Sequence, residues 1–226
     1  MSPGVTAESL FAAGVLRDRG ADVTTTADFE AAVEEYVEKT SVLPSDELAA
    51  LLEERLDRGA IVEPFAELGV TDPRTVAELF ALQDRLEPSS DDDWLALLPV
   101  LWLFRSAETP TEGVPDPFVP VPATYLPHVT RIYSPSLVYV WLDDCAPCET
   151  VKADLESIFE EPRELMAFAV YGPDYREFLA ETYDVTAGPV LLFMLDGRID
   201  LRLHGAQPER TVRSELSTLL ERRPST

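Results

Sequence analysis

Cys145-Ala146-Pro147-Cys148 holds both cysteines of the chain and follows a β-branched and aromatic run, Ser136-Leu137-Val138-Tyr139-Val140-Trp141-Leu142. After its first residue the run is apolar on both alternating faces, the pattern of a strand buried on both sides in the middle of a sheet. Beyond the cysteines the apolar spacing turns helical, at Val151, Leu155, Ile158 and Phe159. A Cys-x-x-Cys pair at a strand-to-helix junction has the chemistry of a redox dithiol. The first sulfur sits where backbone N–H groups at the helix start favour a thiolate, and the second lies one turn further in. Pro147 suits the first turn, where its missing N–H costs nothing. Zinc is a competing reading, but a structural site takes four ligands, and His128 and His204 are far outside the usual paired spacing. An inert, packed pair is another, disfavoured because the chain has no cysteine elsewhere.

The elements that must position this pair are readable around it. Leu165 to Tyr171 is a second strand-like run, and Tyr175, Phe178, Leu179 and Tyr183 form a helical stripe opened by Pro173. Gly188-Pro189 precedes a third apolar run, Val190 to Leu195. Asp196-Gly197 is a two-residue hairpin signal leading into Ile199, Leu201 and Leu203. Pro208 opens a last helix with Val212, Leu216, Leu219 and Leu220 on one face. Strand, helix, strand, helix, hairpin, helix predicts an α/β unit: a mixed sheet with flanking helices.

In this order and spacing, residues from about 118 to 223 resemble a thioredoxin. The resemblance is carried by Val138 to Cys148, Gly188-Pro189, Asp196-Gly197 and His204-Gly205-Ala206. It implies that Cys145 attacks a client disulfide and Cys148 resolves the mixed disulfide. It puts Pro189 where the family has its cis-proline, with the Gly188 backbone pairing with the client as an added strand. The implied partners are proteins with disulfides and a thioredoxin reductase or small-thiol reductant, with no bound cofactor and no metal.

The chain also departs from the family. The tryptophan before the first cysteine is replaced by Asp144, itself preceded by Asp143. The family's buried aspartate aligns with Tyr139, its lysine partner with Val170, and Gly188 stands in place of a branched residue. Two carboxylates beside Cys145 oppose its thiolate, which predicts a reducing couple. Asp143 or Asp144 is also a candidate proton acceptor for Cys148 through water, against the plainer reading of both as acidic surface. The loss of the buried carboxylate leaves a second function open, a non-catalytic interaction module built on the same fold.

Composition sets the surroundings. The chain of 226 residues carries 42 acids against 18 bases, a net charge of -24, and Lys39 and Lys152 are its only lysines. Such a chain repels itself in dilute buffer and is at ease where salt screens charge. In this it resembles proteins of salt-in halophiles, which predicts a halophilic archaeon as source. The charge opposes binding to nucleic acid or an anionic membrane. No basic-then-apolar leader opens the sequence, and the longest apolar run, Trp94 to Phe104, is short of the roughly 20 residues of a span. A cytoplasmic protein is expected.

Residues 1–117 carry 25 acids and 8 bases against 17 and 10 in residues 118–226, and this shift places a domain boundary between them. We expect a helical domain over 1–105, a proline-rich acidic linker over 106–122 and the thioredoxin-like domain over 123–226. The first reads as all-α. Its stripes are Phe29, Val33, Tyr36 and Val37, then Leu48, Leu51, Leu52 and Leu56. A helix capped by Asp72 and Pro73 follows, carrying Val76, Leu79, Phe80 and Leu86. The acids Asp91 to Asp93 start an apolar helix at Trp94, expected to be the central helix of the bundle or the face that docks on the thioredoxin-like half, and to bend or end at Pro99.

Overall fold

The computed structural model describes residues 7–20, 22–86, 90–105, 110–161 and 163–222, so residues 106–109 of the expected linker lie outside it. The chain forms two compact units, Met1–Ser106 and Ala107–Thr226. The first contains α1 (Ala7–Ala12), β1 (Leu16–Asp18), β2 (Val23–Thr25), α2 (Ala27–Thr40), α3 (Ser45–Glu53), α4 (Gly59–Thr71), α5 (Pro73–Gln83) and α6 (Asp91–Trp102). It is helical but not all-α, because β1 and β2 pair as a short antiparallel ribbon. Strands of three residues leave no alternation long enough to read. Thr26 ends the ribbon and caps α2, its hydroxyl accepting the Phe29 N–H at 3.2 Å.

The centre of this unit is α5, not the Trp94 helix, for α5 packs against α2, α4 and α6. Every residue from Thr75 to Leu82 is buried. The Asp72 carbonyl accepts the Thr75 N–H at 3.1 Å, but its carboxylate caps no backbone N–H of α5. That carboxylate accepts instead from the Thr75 hydroxyl and from Arg105, both at 2.6 Å. The helix ends at Gln83, short of Leu86. Pro99 does not end α6, which runs on to Trp102 with Leu98, Leu101 and Trp102 buried. Packing on that last turn offsets the one lost backbone bond. Ser90 closes a capping box with Asp93, while Asp91, Asp92 and Asp93 charge the first turn.

A stretch buried on every side leaves Glu78 nowhere to meet water. Its carboxylate, 1 % exposed, binds Arg74 at 2.8 Å and Arg105 at 2.6 Å. Arg74 also reaches Glu30 on α2 at 2.8 Å, and these carboxylates hold both guanidinium groups above their ordinary range despite burial. A buried ion cluster of this kind adds little net stability when whole, but removing one member leaves charge uncompensated. Glu78→Gln is therefore expected to lower stability by about 3 kcal/mol, read as a shifted urea midpoint.

The second unit contains β3 (Val119–Pro120), α7 (Leu126–Ile132), β4 (Ser136–Trp141), α8 (Ala146–Phe159), β5 (Met166–Tyr171), α9 (Arg176–Tyr183), β6 (Val190–Leu195), β7 (Arg198–His204) and α10 (Glu209–Glu221). It is the expected mixed sheet, in the order β3-β5-β4-β6-β7. Strands β3, β5 and β4 run parallel, and β6 and β7 continue antiparallel. All six residues of β4 are buried. On one face Leu137, Tyr139 and Trp141 join Val151, Leu155, Ile158, Val212, Leu216 and Leu219 in the core under α8 and α10. Val138 and Val140 point the other way, as strand alternation requires.

Asp196 and Gly197 both have positive φ, 49° and 75°, in the turn joining β6 to β7. The stripe from Pro173 divides into a 3-10 turn, Gly172–Tyr175, and α9. The stretch expected as linker supplies part of this unit. Val119–Pro120 pairs with Phe168–Ala169, and Phe118 and Val121 are buried. Proline-rich composition hid a strand only two residues long.

Candidate functional site

Strand β4 ends at Trp141, and Leu142, Asp143 and Asp144 carry the chain round to Cys145. Asp144 takes a left-handed backbone, φ 48°, which a short polar side chain tolerates. Cys145 then stands as the N-cap residue of α8. Its carbonyl accepts the N–H groups of Cys148 at 2.8 Å and Glu149 at 3.2 Å, and its Sγ accepts the Cys148 N–H at 3.2 Å. The two sulfurs are joined as a disulfide, S–S 2.07 Å, with Cα atoms 5.2 Å apart. Cys145 is half-buried, while Cys148 is 2 % exposed. One sulfur is thus open to attack from outside and the other is shielded behind it.

Tyr139 lies directly behind the pair. Its ring is in the core, and its hydroxyl donates to the Cys148 carbonyl at 2.9 Å. Burial, and then the charge of Glu149, push this phenol above its ordinary range, so it is neutral at any ordinary pH. The residue directly behind the dithiol is thus a hydrogen-bond donor that stays protonated.

The acidic rim is ordered in part. The Tyr171 hydroxyl donates to the Asp143 carboxylate, and the Tyr171 ring rests on Trp141 with centroids 4.8 Å apart. Asp144 and Glu149 are exposed. Gly113 also lies against Trp141, where a Cβ would fall 2.2 Å from the indole. Lys152 of α8 donates to the Glu112 carbonyl at 2.6 Å. The segment before β3 is thereby fastened to the helix that carries the dithiol. Tyr171, Lys152 and Gly113 escaped the sequence reading because each acts through a neighbour distant in the chain.

Gly188 and Pro189 meet the same end of β4. Val190 pairs with Val140, the Gly188–Pro189 bond is cis, and the Pro189 carbonyl accepts the Gly205 N–H at 2.8 Å. A Cβ on Gly188 would lie 2.9 Å from Leu142 Cγ, and one on Gly172 would lie 3.0 Å from Leu142 Cδ2. Leu142 fills the space between the two chain segments, which is why glycine stands before the proline.

No family model and no curated protein matches the chain. Among solved structures, it is similar to a mutant thioredoxin from Halobacterium salinarum at 24% identity, covering 46% of this chain and 94% of that one with a TM-score of 0.40. A Fasciola hepatica thioredoxin is similar at 26% identity, over 43% of this chain and 94% of that one, TM-score 0.39. Mitochondrial thioredoxin 3 of Saccharomyces cerevisiae, in its oxidized form, follows at 16%, over 45% and 95%, TM-score 0.41. The likeness spans less than half of this chain, and the mixed α/β architecture rests on the strand order and register themselves.

Two outcomes follow from this packing. Gly188→Val is expected to destabilise by about 1–3 kcal/mol through overpacking, and Leu142→Ala in the same chain to recover part of the loss, read as a double-mutant cycle in urea. The hydrogen bond from Tyr171 to Asp143 pushes the phenol up to about 12 from 10.0. The stability it contributes is full below pH 10 and is lost as pH rises towards 12. Asp143→Asn should return the Tyr171 transition towards its ordinary value in a tyrosinate absorbance titration.

Proposed function

We propose that the second unit is a thiol–disulfide oxidoreductase that reduces protein disulfides through Cys145 and Cys148. The observation that carries this reading is the asymmetry of the pair: an accessible N-cap sulfur, already accepting a backbone N–H, in front of a buried sulfur within bonding distance. In the reduced protein that N–H and the helix terminus favour a thiolate on Cys145, while Asp143, Asp144 and Glu149 oppose it. A destabilised thiolate goes with a stable disulfide and hence with a reducing couple.

The Cys145 thiolate attacks a client disulfide, forming a mixed disulfide and expelling one client thiolate. Cys148 then loses its proton and attacks Cys145 Sγ. The intramolecular disulfide forms, the bond to the client breaks, and the client leaves with two electrons and two reduced sulfurs. Gly188 and Pro189, at the same end of β4 as Leu142, are the proposed seat of the client backbone. The exposed Asp143 or Asp144 is the proposed proton acceptor through water. A thioredoxin reductase or a small thiol returns the electrons, and the chemistry needs no bound cofactor or metal. The charge of -24 and the scarcity of lysine support a salt-rich cytoplasm of a halophilic archaeon as the setting.

Titration against glutathione in molar potassium chloride tests the reading. The expected result is a reversible two-electron couple near the thioredoxin range, about -270 mV, together with client proteins trapped on Cys145 by Cys148→Ser. A pair that titrates only after unfolding, with partners retained equally by Cys145→Ser, would instead make this unit an interaction module.

A further inference from the structure

We propose that Tyr139 is a positioning residue for the resolving step, its hydroxyl holding the Cys148 backbone within reach of Cys145. The inference rests on the redox reading above and adds to it a part that no cysteine supplies. Besides its N–H bond to the Cys145 carbonyl at 2.8 Å, two contacts restrain Cys148: the same N–H to Cys145 Sγ at 3.2 Å and its carbonyl to the Tyr139 hydroxyl at 2.9 Å. The first depends on the state of the attacking sulfur, since a Cys145 Sγ bonded to a client is a poorer and displaced acceptor. The second does not depend on sulfur at all.

The first turn of a helix is also where helices fray, and Pro147 contributes no N–H to it. Tyr139 therefore ties that turn to the central strand at the moment the mixed disulfide is waiting to be resolved. Its ring is held on all sides, 1 % exposed, between the cross-strand neighbours Ala169 and Leu191 and beneath α8. A rigid donor on a rigid strand raises the effective concentration of Cys148 at Cys145. In the resolving step Cys148 gives its proton through water to Asp143 or Asp144, the Cys145–Cys148 bond forms, and the bond to the client sulfur breaks.

The experiment follows the reduced full-length chain reacting with an aromatic nitrobenzoate disulfide, which releases its coloured thiolate twice. The first release reports attack by Cys145 and the second reports resolution by Cys148. In Tyr139→Phe the first release is expected to keep its rate while the second slows about three- to tenfold, the worth of one neutral hydrogen bond. The equilibrium constant for disulfide formation against glutathione falls by a similar factor. Tyr183→Phe, which removes a buried phenol on α9, should leave both releases and the constant unchanged. A second release and a glutathione constant equal to wild type in Tyr139→Phe would overturn the proposal, as would an equal slowing of both releases. Wild-type protein that gives one release and no disulfide would overturn the redox reading and this inference together.

Discussion

The second unit depends on a strand that has no side in water. Strand β4 is paired on one edge with β5 in parallel and on the other with β6 antiparallel, and all six of its residues are buried. A one-residue slip would turn Tyr139 and Trp141 to the opposite layer and carry the cysteines away from their helix. Packing on both faces forbids that slip. The dithiol stands at the end of the most constrained element of the unit, so its geometry is inherited from the core rather than built by the loop.

Around that fixed point the electrostatics oppose one another. Backbone N–H groups at the start of α8 favour negative charge on Cys145, and three exposed carboxylates, Asp143, Asp144 and Glu149, disfavour it. Salt screens the exposed carboxylates more effectively than it screens a hydrogen bond made at contact distance. In a salt-rich solution the balance therefore moves towards the backbone. Tyr171 removes part of Asp143's freedom by hydrogen bonding to it, and Trp141 braces Tyr171 from below. The rim is tied to the core rather than being a loose acidic fringe.

The helical unit meets the same problem of charge in a buried place with a different solution. Helix α5 is enclosed over eight residues, and the acid it cannot expose is neutralised by Arg74 and Arg105 from two directions. Arg105 follows α6, so the cluster draws α2, α5 and the end of α6 together. Apolar packing brings those helices into contact, and the ion cluster links all three through charge-assisted bonds.

Period and turn chemistry are local, and they were readable in the chain. The alternation in β4, the helical spacing after Cys148, the Asp196-Gly197 hairpin and the order of elements all follow from side chains within a few residues of one another. The place of Cys145 and Cys148 at a strand-to-helix junction was legible too, because that pattern is local. Legibility failed where locality fails: at the three-residue strands β1 and β2, at α4 with apolar residues on most sides, and at Val119–Pro120 within proline-rich sequence. The partners of the site were decided only by tertiary structure. Tyr139 reaches across nine residues, Tyr171 across 28 and Lys152 across 40 to make their bonds. Gly188 owes its identity to Leu142, on another strand's end. Such contacts are set by which elements stack on which, and nothing in the spacing of neighbouring residues carries that information.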